Sequence, residues 1–150
     1  MSIIEEVYES KKSDISAKLF TLTSRHGLVA KMTNYGGIIV SMEVPDRNGV
    51  NADIALGKDS LDDYLEGNPY FGTITGRVAG RIGGGRFTLE GRNYILAQND
   101  EPNCLHGGEK GFDKILWEAS ITGDGEKEKL QLTTVDPAGH NNFPGTVHCT

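Results

Sequence analysis

The sequence predicts an all-β chain, an antiparallel sandwich or barrel made largely of hairpins, and three observations carry that expectation. Apolar residues recur with period two over several short segments, the pattern of half-buried strands. Clusters of Pro, Asp, Asn and Gly separate those segments, each a turn former for its own steric reason. Twenty glycines stand against five prolines in 150 residues, an excess that suits tight turns and disfavours a helical bundle.

The elements follow in order. The first dozen residues are expected to fray as a chain terminus. Strands are predicted at Ala17–Thr23 and Leu28–Asn34, joined by Ser24-Arg25-His26-Gly27. From Ile38 to Val44 the residues Ile38, Val40, Met42 and Val44 share one face, with Ile39, Ser41 and Glu43 on the other. The turn Pro45-Asp46-Arg47-Asn48-Gly49 then leads into a second strand reading Ala52, Ile54 and Leu56 against Asp53 and Ala55. Ser60–Leu65 is the one helical segment, with Ser60 as cap and Asp63 at the capping-box spacing. A second hairpin pairs Phe87 and Leu89 with Tyr94 and Leu96 around Glu90-Gly91-Arg92-Asn93. After a polar loop at Gly123–Lys129, Leu130 and Leu132 alternate with Gln131 and Thr133 in a last strand, Lys129–Val135. Nothing repeats at a fixed period and no linker marks a boundary, so residues 1–150 are read as belonging to one domain.

Composition excludes several functions. A net charge of -6 disfavours nucleic acid, since neutralising phosphates needs surplus Lys and Arg. Arg77, Arg81, Arg86 and Arg92 do cluster, but without interleaved aromatics on which bases stack. No window of about 18 apolar residues exists, so no helical membrane span is expected. The start, Met-Ser-Ile-Ile-Glu-Glu-Val, has neither a basic nor an apolar leader region, which makes the cytoplasm the expected compartment. Cys104 and Cys149 are too few for a disulfide framework. Their neighbours His106 and His148 lack the spacing that converges two side chains on one zinc, so neither a metal nor an organic cofactor is expected.

Two stretches stand out as carriers of chemistry. The first runs from Tyr70-Phe71-Gly72 through Gly76-Arg77-Val78-Ala79-Gly80-Arg81 to Gly83-Gly84-Gly85. It fails the tests for a phosphate loop: no Gly-Lys-Ser/Thr follows, and a β context offers no helix N-terminus for the anion. A flexible backbone and two arginines four apart remain, and the bland reading makes both surface residues around a bulge. The second stretch is Asn99-Asp100-Glu101-Pro102-Asn103-Cys104-Leu105-His106-Gly107-Gly108. A histidine before two glycines in a polar loop is reachable, and imidazole can donate to or accept from a hydroxyl at neutral pH. The alternative is a histidine that ties the loop to itself. His26, His140 and His148 have weaker contexts and receive no role.

Six segments in register resemble the aldose 1-epimerase (galactose mutarotase) family. They are Asn34-Tyr35-Gly36-Gly37, Pro45-Asp46-Arg47-Asn48-Gly49, Tyr70-Phe71-Gly72, Gly76-Arg77-Val78-Ala79-Gly80-Arg81-Ile82, Pro102-Asn103-Cys104-Leu105-His106-Gly107-Gly108, and Gly111-Phe112-Asp113-Lys114 with Leu116-Trp117. The resemblance runs from residue 17 to residue 120 and resumes at Phe143-Pro144-Gly145. It implies the amino-terminal part of a galactose mutarotase-like supersandwich, a large antiparallel β-sandwich. It also implies an enzyme that interconverts the α and β anomers of free hexoses such as galactose and glucose, without cofactor. In that reaction a carboxylate takes the C1 hydroxyl proton, a histidine protonates the ring oxygen, and the opened chain closes from the other face. Such acid–base help is worth about 10²–10⁴ in rate. Arg81 and His106 match the family's sugar-contacting arginine and histidine.

Three departures shape the expectation. Gly80 stands where the family has a sugar-contacting asparagine, so an amide is lost from the substrate-binding set. Ala138-Gly139-His140-Asn141-Asn142 replaces an acidic loop. The family's acid histidine, base glutamate and a sugar-binding aspartate fall beyond the equivalent of Thr150, so no catalytic residue is assigned here and the isolated chain is expected to be inactive, with apolar faces uncovered. The competing readings are a catalytically silent sugar-binding β-module and a hexose-phosphate epimerase, the latter left open by the arginine cluster.

Overall fold

A computed structural model describes residues 1–150, the side chain of Glu126 excepted. Its main sheet has five antiparallel strands in sequence order: β1 (Ser2–Glu9), β2 (Ser16–Thr23), β3 (Val29–Thr33), β4 (Ile39–Pro45) and β5 (Asn51–Asp53). A short helix, α1 (Leu61–Glu66), follows. Two two-stranded ladders come next, β6 (Arg81–Ile82) with β9 (Cys104–Leu105) and β7 (Arg86–Leu89) with β8 (Arg92–Ile95). A second sheet orders β10 (Glu118–Thr122), β11 (Lys129–Asp136) and β12 (Val147–Cys149) as another meander. The peptide bonds between residues 76 and 77 and between residues 101 and 102 are cis.

The predicted strands and hairpins are present, but the second hairpin turns at Glu90-Gly91 and its return strand covers Arg92–Ile95 without Leu96, and β6, β9, β10 and β12 lie outside the predicted strands. Three further details have local causes. The first residues form a full strand, each of Ser2–Glu9 paired with a residue of β2. Its apolar side chains remain half out, Ile4 at 58% and Val7 at 70% exposure, as suits an edge strand. The return strand of the first hairpin stops at Asp53 instead of reaching Leu56. There the Asp53 carboxylate accepts from the backbone N–H groups of Met42 (2.9 Å) and Ala55 (3.0 Å), so a side chain displaces the ladder. The helix begins one residue after Ser60, whose Oγ accepts from the Asp63 N–H at 3.3 Å.

Packing forms two cores. Ala17, Tyr35, Ile38, Leu61 and Tyr64 make one, which joins the main sheet to α1. Leu96, Cys104 and Phe143 make the other, with Ile82 and Phe87 against them. Leu22 and Met32 of the main sheet and Leu130 and Leu132 of the second sheet line one apolar cleft, with Ile74, Phe112 and Trp117 between them. The buried Asn34 ties the layers: its amide donates to Trp117 O (2.8 Å) and its Oδ1 accepts from Lys18 N (2.7 Å). Gly36, at φ +63°, lets the chain turn where a Cβ would stand 2.3 Å from the carbonyl oxygen of Asp113. Among the described residues no helix is long and apolar enough to cross a membrane.

Candidate functional site

The glycine-rich stretch and the histidine loop, distant in sequence, meet as one ladder. Arg81 pairs with Leu105 and Ile82 with Cys104. Alternation turns Ile82 and Cys104 inward, into the core with Leu96 and Phe143. Arg81 faces outward with 58% of its side chain exposed. Asn99 braces the outer side of β9, its amide bonding both the N–H (2.8 Å) and the C=O (3.0 Å) of Leu105.

The ladder continues one step further and sets the chemistry of His106. The His106 N–H donates to Gly80 O at 3.0 Å, and the Gly80 N–H donates to His106 Nδ1 at 3.1 Å. A backbone N–H can only donate, so Nδ1 must be the unprotonated nitrogen. In the neutral ring the hydrogen therefore sits on Nε2, which has no protein partner among the described residues and is a hydrogen-bond donor. Nitrogen NMR of His106 is expected to show a protonated Nε2 and an unprotonated Nδ1; a mixture of both tautomers would mean the Gly80 bond does not form.

Around this pair the backbone is bent and tight. His106 has φ +51°, and Gly107 and Gly108 follow at +92° and +101°. A Cβ on Gly107 would lie 1.7 Å from Gly76 O, so only glycine lets the loop rest directly on the first stretch. Tyr70 covers the histidine, ring centroids 4.5 Å apart and planes at 55°. Burial, and then the carboxylates of Asp113 and Asp100, push the Tyr70 hydroxyl up, so it stays protonated. Asp113 is buried, and its Oδ1 has no hydrogen-bond partner among the described residues. Burial pushes that carboxyl up, against the pull of Lys114 and His106.

The two arginines of the first stretch part company. Arg77 does not lie on the surface; its side chain is 9% exposed and every donor is committed. Nε pairs with Asp136, Nη1 donates to Pro144 O (2.7 Å) and Gly145 O (2.9 Å), and Nη2 donates to Asp136 O (3.1 Å) and Pro137 O (2.8 Å). Asp136 is itself buried and also accepts from the His140 ring. This knot staples the loop after β11 to the site, and the Asn141 side chain of that loop packs at 3.2 Å from where a Gly108 Cβ would be. Arg81, by contrast, uses only Nε, which donates to Asp100 Oδ2 at 2.6 Å. Its two Nη groups have no protein partner among the described residues.

The three residues expected to bind substrate, Gly80, Arg81 and His106, are thus neighbours at one end of the β6–β9 ladder. It presents N–H donors from Arg81 and His106, with open space beside Gly80, where a Cβ would meet nothing within 4 Å. Sequence reasoning did not single out Asp100, Tyr70 or the Arg77–Asp136 pair. Asp100 and Tyr70 lie inside the quoted motifs, but nothing local tells a loop aspartate that orients an arginine from one that faces solvent. Both thiols are free, and among the described residues no three His, Cys, Asp or Glu side chains gather as they would around a metal ion.

Comparison with known proteins places this surface in context. Residues 18–150 match the profile of the Aldose 1-epimerase family. The chain is 46% identical over 114 residues to a galactose mutarotase of Bos taurus, which covers 76% of this chain and 32% of the relative. It is 31% identical over 133 residues to an aldose 1-epimerase of Escherichia coli (strain K12), covering 89% of this chain and 38% of that one. The crystal structure of galactose 1-epimerase from Lactobacillus acidophilus NCFM superposes with a TM-score of 0.81 at 29% identity, over 98% of this chain and 42% of that chain. The chain therefore spans about a third of the length of the mammalian relative, 32%. On the match over residues 18–150 and the shared fold, this chain belongs to the aldose 1-epimerase family.

Proposed function

We propose that Arg81, His106 and Gly80 form part of the sugar site of an aldose 1-epimerase that interconverts the anomers of free hexoses such as galactose and glucose, in the cytoplasm, without a cofactor. The observation that carries this reading is the Gly80–His106 bond, which leaves the His106 Nε2–H as a donor one ladder step from Arg81, whose Nη groups have no protein partner among the described residues. Sugar hydroxyls and the ring oxygen accept such donors, and a guanidinium offers several in a fixed plane. Donors on His106 also suit an oxygen that gains negative charge as a ring opens. The two free thiols, Cys104 and Cys149, suit a reducing compartment.

The proton-transfer pair is not assigned to these residues. The carboxylates near the site are each engaged or buried: Asp100 in its ion pair, Asp113 beneath the loop. Neither stands free beside His106 as a base for a C1 hydroxyl. The second reading is a sugar-binding module without catalysis.

Two measurements separate these readings. Ligand-observed NMR with galactose and glucose is expected to show binding that falls about tenfold or more in Arg81→Ala and in His106→Ala, since each variant removes a hydrogen-bond donor to the sugar. Failure of the folded chain to bind either hexose would end the sugar reading. Optical rotation of freshly dissolved α-D-glucose is expected to decay at the buffer rate with this chain alone. Acceleration that vanishes in both variants would show that the acid and base do lie within it.

A further inference from the structure

We propose that Asp100 is a specificity-determining residue of this site, setting it to accept uncharged sugars and to turn away sugar phosphates. The inference rests on reading the Arg81–His106 surface as a sugar site and names the substrate class that surface admits.

The geometry is specific. Asp100 Oδ2 takes the Nε–H of Arg81 at 2.6 Å, at the Nε edge of the guanidinium. Nη1 and Nη2 have no protein partner among the described residues and are available for hydroxyl oxygens. The backbone that carries the carboxylate is held in a bonded turn. Asp100 and Asn103 exchange backbone bonds, Asn103 N–H to Asp100 O at 2.8 Å and Asp100 N–H to Asn103 O at 3.2 Å, in the turn that leads straight into β9. Asn103 Oδ1 in turn accepts from Gly84 N at 3.4 Å. The turn that aims Asp100 at Arg81 is thus anchored to the strand end that carries Arg81.

Charge decides what such a pair recognises. The side chains are 58% and 35% exposed, so an incoming ligand meets both charges together, and their sum is zero. A hydroxyl both donates and accepts, so it can use the guanidinium without penalty from the carboxylate. A phosphate brings net negative charge, which meets a like charge at the first donor it approaches. The other arginine of the motif gives no compensation, because Arg77 is fully engaged by Asp136 and four carbonyl contacts. The arginine cluster that leaves a hexose-phosphate reading open in the sequence is therefore neutralised at its first two members, Arg77 and Arg81.

The test is a gain of binding, which a merely structural role for Asp100 would not produce. Asp100→Asn keeps the shape and an oxygen facing Nε but removes the charge. With the full chain, galactose, galactose 6-phosphate and inorganic phosphate are titrated into wild type, Asp100→Asn and the Asp100→Asn, Arg81→Ala double variant. The wild type is expected to bind galactose at least tenfold more tightly than galactose 6-phosphate. The single variant is expected to gain at least tenfold in affinity for both phosphate probes, and the double variant to lose that gain. An unchanged phosphate affinity in folded Asp100→Asn, or a gain that survives removal of Arg81, overturns the proposal. If no form binds galactose while the gain persists and depends on Arg81, the sugar reading fails and the exclusion of anions by Asp100 stands.

Discussion

Replacing Arg77 with methionine is expected to lower folding stability by about 3–5 kcal/mol, the usual cost of removing one partner from a buried ion pair. The reason is the buried Asp136, 5% exposed, which would lose the guanidinium that pairs with it. Four carbonyl contacts from residues 136, 137, 144 and 145 lose their donor in the same step. Methionine fills a similar volume, so the loss reports the missing donors more than a cavity. Arg77→Lys separates the two contributions: it restores a charge near Asp136 but offers three donors to a site that uses five, so it should recover only part of the loss. Urea denaturation of the three proteins measures this. A methionine variant within about 1 kcal/mol of wild type would show that the knot contributes no more than an exposed pair.

Gly107→Ala is expected to be comparably severe, at about 3 kcal/mol or more, since a positive-φ strain of about 1–3 kcal/mol adds to a clash that cannot relax. The added Cβ would sit 1.7 Å from Gly76 O, 2.4 Å from Gly76 C and 2.7 Å from Arg77 N, all backbone atoms. The loop must lift off the first stretch, and His106 moves with it, so hexose binding should fall even where the variant stays folded. Gly83→Ala is the matched control, because a Cβ there meets nothing within 4 Å and the backbone angle is ordinary. Thermal unfolding and galactose binding of both variants give the answer. Equal behaviour of the two would mean that the Gly107–Gly76 contact is looser than the structure has it.

Much of this was legible in the sequence because it depends on neighbours along the chain. Alternation of apolar residues needs only one segment to be seen, and it located β2, β3, β4, β7, β8 and β11. Turn formers sit in the turn they make, and a serine caps the helix that begins one residue later. The two site-bearing stretches were likewise visible, with His106 set before two glycines and Arg81 among small residues. Edge strand β1 was not, since its mixed side chains resemble a loose terminus until β2 offers a pairing partner for all of them.

What the sequence by itself determined, then, is the inventory: an all-β chain, its hairpins, and the residue types capable of holding a sugar. Tertiary structure decided their roles. Arg77 and Arg81 look alike four positions apart, yet one is buried against Asp136, 59 residues away, and the other is held outward by Asp100, 19 residues away. The tautomer of His106 is set by a backbone N–H 26 residues earlier. A local pattern carries no information about such partners, because hydrogen bonds and ion pairs act across space, over a few ångströms, regardless of how much chain lies between.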